Sequence, residues 1–257
     1  MHLFRLLLCA LFFSPALSHA DLADTIEKVK PAVVIVGTFS ATGSPQFVLR
    51  GSGFVVGNGN QVATNAHVLP DTTQAPGSKT GMIPPDLVVQ IRQGNGEWQM
   101  RRASVVAVDK AHDLALLRFE GAAVARLPLG NAAAVREGQN IALTGFPIGG
   151  ALGFSPVTHR GIISAITPIV LPSASARQLN AAAIRRAKEG RFNIFQLDAT
   201  AYPGNSGGPL FDPESGEVLG IINMVFVKGS KESALSQPSG ITYAIPVTHL
   251  QELMKQH

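Results

Sequence analysis

Cysteine is all but missing from this chain. Its 257 residues hold a single one, Cys9, within an apolar amino-terminal stretch. Once that stretch is removed the chain has neither thiol nor disulfide, so its stability must come from packing and β ladders. A thiol nucleophile and cysteine-ligated zinc are excluded as well. Aromatic residues make up only 6%, which leaves little for stacking bases. A formal charge of +4 is too small an excess to mark a nucleic-acid-binding protein. The seven histidines are scattered without ligand spacing, so no metal is expected, and no cofactor either.

Long hydrophobic runs are also absent, apart from one. Residues 1–20 read as a secretory signal: Arg5 supplies the positive start, Leu6 to Phe13 the apolar core, and Ser18-His19-Ala20 the small-x-small cleavage site. That core is too short for a stable transmembrane helix. The expectation is a mature chain from residue 21, periplasmic or secreted, with no integral membrane segment. Removal of Arg5 alone lowers the formal charge from +4 to +3.

Short β-like runs fill the rest. The length suits one large all-β unit or two small barrels sharing a cleft. Gly53 to Val56 and Gln61 to Thr64 flank Gly57-Asn58-Gly59-Asn60, a hairpin signal. Further strands are expected at 32–36, 87–91, 102–108 and 114–119, and then at 141–147, 157–166, 193–197, in the stretch from Asp198 to Leu210, and at 218–227 and 241–245. Residues 121–138 are Ala- and Gly-rich and read as a linker between two halves, with no internal repeat beyond that division. Asp21 to Lys30 and the tail after Pro246 read as short terminal helices. Pro70 to Pro85 reads as a long surface loop. Ser175 to Gly190 reads as a helical insertion carrying a basic face.

Chemistry concentrates at Pro203-Gly204-Asn205-Ser206-Gly207-Gly208-Pro209. Glycines around one hydroxyl allow backbone conformations and close approaches closed to other residues. A serine is a weak nucleophile without a base and an orienting group. His67, at the end of a strand, supplies the imidazole. Asp113, just before Leu114-Ala115-Leu116-Leu117, supplies the carboxylate. His112 is expected at the surface.

Thr64-Asn65-Ala66-His67-Val68, His112-Asp113-Leu114-Ala115-Leu116-Leu117 and Gly204-Asn205-Ser206-Gly207-Gly208 resemble the signature blocks of trypsin-like serine proteases. Gly51-Ser52-Gly53-Phe54, Gly161-Ile162-Ile163-Ser164-Ala165 and Gly240-Ile241-Thr242-Tyr243-Ala244 are similar to the HtrA/Deg branch. The resemblance implies an all-β fold of two six-stranded Greek-key β-barrels, at about 31–124 and 136–246, with the active site in the cleft between them. It implies a serine endopeptidase acting on unfolded, envelope or secreted proteins. Ser206 would be the nucleophile, His67 the general base and Asp113 its partner. The N–H groups of Gly204 and Ser206 would form the oxyanion hole. Thr200, six residues before the nucleophile, and Asn223 would line the substrate pocket, favouring small or aliphatic side chains. A homotrimer through the amino-terminal segment is a further implication.

Two departures shape the expectation. Asn205 stands where digestive trypsins carry an aspartate, so control by loop ordering is expected in place of amino-terminal cleavage. The chain ends at His257, with no PDZ module following. A non-catalytic holdase on a protease fold, or a narrow processing protease, are the alternatives.

Overall fold

In the computed structural model, residues 21–70, 85–94, 96–147, 153–169, 192–223 and 241–257 are described. Residues 1–20, read as a signal, most of the expected Pro70–Pro85 loop and the expected basic insertion lie outside them.

Twelve strands form two closed antiparallel barrels. The first comprises β1 (Val33–Phe39), β2 (Phe47–Val56), β3 (Gln61–Asn65), β4 (Asp86–Arg92), β5 (Trp98–Asp109) and β6 (Leu114–Phe119). Their order around the barrel is 1-2-3-6-5-4. The second comprises β7 (Asn140–Gly145), β8 (Val157–Ile169), β9 (Phe192–Asp198), β10 (Pro209–Phe211), β11 (Val218–Asn223) and β12 (Ile241–Pro246). Counted from β7, its order is the same as that of the first barrel. The two halves repeat a topology without repeating a sequence. Closure leaves neither sheet a free edge, which suits a chain with no cross-links.

The continuous apolar runs are explained by what covers them. Val33 to Val36 on β1 and Leu114 to Leu117 on β6 are fully buried on both faces. One face fills the barrel; the other lies under the neighbouring barrel for β1 and under the carboxy-terminal helix for β6. β5 is covered on one side only, and Met100, Val105 and Val108 are exposed along it. The expected hairpin is present: Phe54 pairs with Ala63 and Val56 with Gln61, and Gly57 and Gly59 turn between them at φ 63° and 93°. β2 and β5 begin earlier than the runs expected, at Phe47 and Trp98, because barrel pairing extends them through sequence broken by Arg50, Gln99 and Arg101. The stretch from 121 to 138 is more than a tether: the Gly130 N–H donates to Val218 O and the Val218 N–H to Pro128 O.

Each terminal helix crosses to the barrel remote from it in sequence. Helix α1 (Leu22–Val29) is capped by Asp21, whose carboxylate accepts from the Ala23 N–H. Thr25 Oγ1 on α1 donates to Glu214 O, in the turn between β10 and β11, at 3.3 Å. Helix α2 (Val247–Lys255) buries Val247, Leu250 and Leu253 and contacts β5 and β6 of the first barrel as well as its own. These straps hold the two barrels against one another.

Candidate active site

The turn from β5 to β6 places the carboxylate. Asp109 Oδ1 accepts from the N–H groups of Ala111 and His112 at 2.9 and 3.1 Å, an Asx turn. Asp113 follows at φ 53°, the only non-glycine with positive φ among the described residues. Aspartate is one of the few side chains that tolerates this conformation. The strain is secured on every side. Asp113 O accepts from the Ala66 N–H at 3.1 Å and from Asn65 Nδ2 at 3.1 Å. Its Oδ1 accepts from the His67 N–H at 2.9 Å.

His67 stands in the 3₁₀ turn Ala66–Val68, directly after β3. Its Nδ1 lies 2.6 Å from Asp113 Oδ2. A carboxylate can only accept, so Nδ1 carries the proton and Nε2 keeps a free lone pair. The side chain of His67 is 40% exposed and that of Asp113 13%, a base open to the cleft and an acid closed off from it.

The second barrel contributes the other wall. Ser206 is 8% exposed and lies between Gly204, at φ 104°, and Gly207, at φ 86°. Gly207 must be glycine on two counts. Besides its φ, a Cβ there would stand 2.2 Å from Ser52 O and 2.3 Å from Thr64 Oγ1. The same Cβ would lie 3.2 Å from the Asn65 N, which puts the serine loop against the strand end that leads to His67. Among the described residues the N–H groups of Gly204 and Ser206 meet no acceptor. Ser206 Oγ makes no hydrogen bond to His67 in this state.

Thr200 and Asn223, the two residues expected to line a substrate pocket, lie in different surroundings. Thr200 is exposed on the segment after β9. Asn223 is buried at 4%, and its Nδ2 donates to Asp113 Oδ2 at 2.8 Å. The amide serves the carboxylate because β11 ends against the mouth of the first barrel. Sequence reasoning missed this role, although a polar residue closing the run Ile221-Ile222-Asn223 signals a buried group in need of a partner. Asn205 is fully buried, and among the described residues neither amide atom has a partner. His112 is a correction. Only a quarter exposed, it binds Asp109 Oδ2 through Nδ1 at 2.6 Å and stacks on His249 of α2 at 3.9 Å between centroids. The β5–β6 turn folds it back under the helix.

Among the described residues no cluster of His, Cys, Asp and Glu could hold a metal ion, and no helix is long and apolar enough to cross a membrane.

The chain is similar to known serine proteases. Mitochondrial serine protease HTRA2 of Bos taurus is 30% identical over 247 residues, 94% of this chain and 44% of the relative. A probable periplasmic DegP-like serine endoprotease of Pseudomonas fluorescens is 27% identical over 206 residues, 80% of this chain and 34% of the relative. The chain spans less than half the length of the curated relatives it matches. Among solved structures, the HtrA-type protease AlgW with tripeptide superposes with a TM-score of 0.62 at 27% identity, covering 91% of this chain and 62% of that one. The model of the trypsin-like peptidase domain matches residues 51–221. Because that match runs from β2 into β11 and so takes in strands of both barrels, the chain belongs to the trypsin-like peptidase family.

Proposed function

We propose that the chain is an exported serine endopeptidase that cuts unfolded or envelope proteins through an acyl-enzyme. The observation that carries this is the 2.6 Å His67–Asp113 pair, with the glycine-flanked serine loop packed against the strand end that leads to His67. Ser206 Oγ attacks the scissile carbonyl carbon and His67 Nε2 takes its proton. The carbonyl oxygen, now negative, is held by the Gly204 and Ser206 N–H groups. As the tetrahedral adduct collapses, the C–N bond breaks and His67 returns the proton to the leaving amine. Water then repeats the sequence on the ester and frees Ser206. Asp113 stays ionised throughout and stabilises the imidazolium. Asn223 holds the carboxylate oxygen that faces His67.

The missing Ser206–His67 hydrogen bond supports control at the site itself. In this reading the bond forms when a substrate backbone orders the loop, in keeping with a neutral Asn205 that offers a new amino terminus no charge. Such bonds are often long before substrate binds. Residues 1–20 are proposed as a cleaved export signal, and the likeness to a DegP-like periplasmic protease supports delivery to the envelope or beyond. Homotrimer assembly is proposed on the resemblance alone and is tested by solution mass.

The deciding experiment is degradation of casein by the chain from residue 21 beside its Ser206→Ala variant. Cleavage by the parent alone establishes Ser206-dependent proteolysis. Equal cleavage by both sinks the assignment. Absence of cleavage by either favours the holdase or the narrow processing protease.

A further inference from the structure

One residue of the first barrel fastens the serine loop of the second. Ser52, on β2 and fully buried, lies well away from the His67–Asp113 pair in sequence. Its N–H donates to Ser206 O at 2.8 Å. Its Oγ donates to Gly204 O at 2.6 Å and accepts from the Phe146 N–H at 2.9 Å. Its own carbonyl accepts from Thr64 Oγ1 at 2.7 Å. Gly51, Gly145 and Gly207 make room for this junction. A Cβ at Gly51 would stand 2.9 Å from Ser206 O, and one at Gly145 2.9 Å from Ser52 Oγ.

The consequence lies in which peptide planes are pinned. The Gly204–Asn205 peptide is held at both ends, its oxygen by Ser52 Oγ and its N–H by Tyr202 O at 3.0 Å. The peptide after Ser206 is held through its oxygen by the Ser52 N–H and through the Gly207 N–H, which donates to Ile222 O at 2.9 Å. The Asn205–Ser206 peptide between them, which carries one oxyanion N–H, is held through its oxygen by the Gly208 N–H at 2.9 Å. The plane before Gly204 carries the other and is fixed through its neighbour, the peptide that Ser52 pins, at a residue whose φ of 104° only glycine takes easily. With its hydroxyl as donor and acceptor at once, Ser52 also ties the loop to Phe146 at the end of β7.

We propose that Ser52 is a positioning residue: its hydroxyl holds the Gly204–Ser206 loop so that both oxyanion N–H groups face one point. This rests on the protease reading above. A purely structural serine would merely satisfy the buried Phe146 N–H, and its loss would lower stability without singling out the transition state. A positioning serine matters where the oxyanion develops, so its loss falls on kcat and spares KM.

The test uses Ser52→Ala and Ser52→Cys in the chain from residue 21, with Ser206→Ala alongside. Cysteine nearly fills the same volume but donates weakly, so it reports on the hydroxyl should alanine fail to fold. Turnover is read on a fluorogenic peptide copied from a mapped casein cleavage site. Binding is read with the boronate of that peptide, which mimics the tetrahedral adduct, and with the uncleaved peptide bound to Ser206→Ala. Expected is a fall in kcat of about 10²-fold for Ser52→Ala and a smaller one for Ser52→Cys. Boronate affinity should fall in parallel, with KM and the circular dichroism spectrum preserved. Unchanged kcat in a folded variant overturns the proposal. So does a loss of kcat that leaves boronate affinity intact, or one matched by a rise in KM. If Ser206→Ala itself keeps full activity, the protease reading has failed, and that result is distinct from any behaviour of Ser52.

Discussion

Asp113 shows how much a single position can be asked to do. It is a carboxylate, a left-handed turn residue and a double carbonyl acceptor at once, and few side chains combine these. Asp113→Asn keeps the shape but can donate to His67, which fixes the wrong imidazole tautomer. On the Ser-His-Asp template kcat should drop about 10⁴-fold with the fold intact, measurable by peptide turnover beside a thermal melt. Gly207→Ala should behave differently. A methyl group 2.2 Å from Ser52 O at a φ of 86° forces the loop to move, so stability should fall by about 2 kcal/mol or more and activity with it. A urea midpoint equal to that of the parent would refute this. At this scale the sequence was legible where chemistry imposes residue type. Ser206, His67 and Asp113 could be named from type, order and local context. The roles of Asn223 and Ser52 could not, because each bonds to a partner more than a hundred residues away, and no local pattern says which partner that is.

Among elements, the strands were the readable part and the β5–β6 turn the unreadable one. Alternation and continuous apolar runs located all twelve strands, since each barrel must bury one face of every strand. His112 escaped because its surroundings come from α2 and β9: His249 stacks on it, and Phe192 sets its ring edge-on at 4.7 Å. The charged and titratable groups around this stack are Asp109, His112 and Glu252. Burial first, then His112, holds His249 below the usual 6.5, against the opposing pull of Glu252 and Asp109. Burial lowers His159 as well. For Asp109 burial acts to raise the carboxyl, but the His112 hydrogen bonds outweigh it and leave it low. The signs then follow. An imidazole that is harder to protonate when folded contributes stability that is complete above pH 6.5 and is lost as pH falls through its folded value; Asp109 matters only in the carboxylate range. The urea midpoint should therefore drop between pH 7.5 and 5.5, and His249→Gln should flatten part of that drop. A midpoint indifferent to pH over this window would count against the stack as the source.

For the molecule as a whole, the crossing of the two terminal helices governs cooperativity. With no disulfide between the barrels, α1 on the β10–β11 turn and α2 on β5 and β6 join the two halves from opposite ends. Removing residues 247–257 should expose the flank of β6, lower the melting temperature and split one thermal transition into two. Calorimetry showing a single, unshifted transition would mean the cleft contacts alone couple the barrels. This arrangement was only half visible beforehand. Amphipathic spacing located both helices, but spacing says which face is buried and not what it is buried against.

The reach of α2 also sets an order of events in time. A polypeptide delivered amino end first can close its first barrel long before residues 247–255 arrive. The turn that carries Asp113, however, stays uncovered until α2 has come back across the second barrel to meet His112. Competence is thereby postponed to the end of folding.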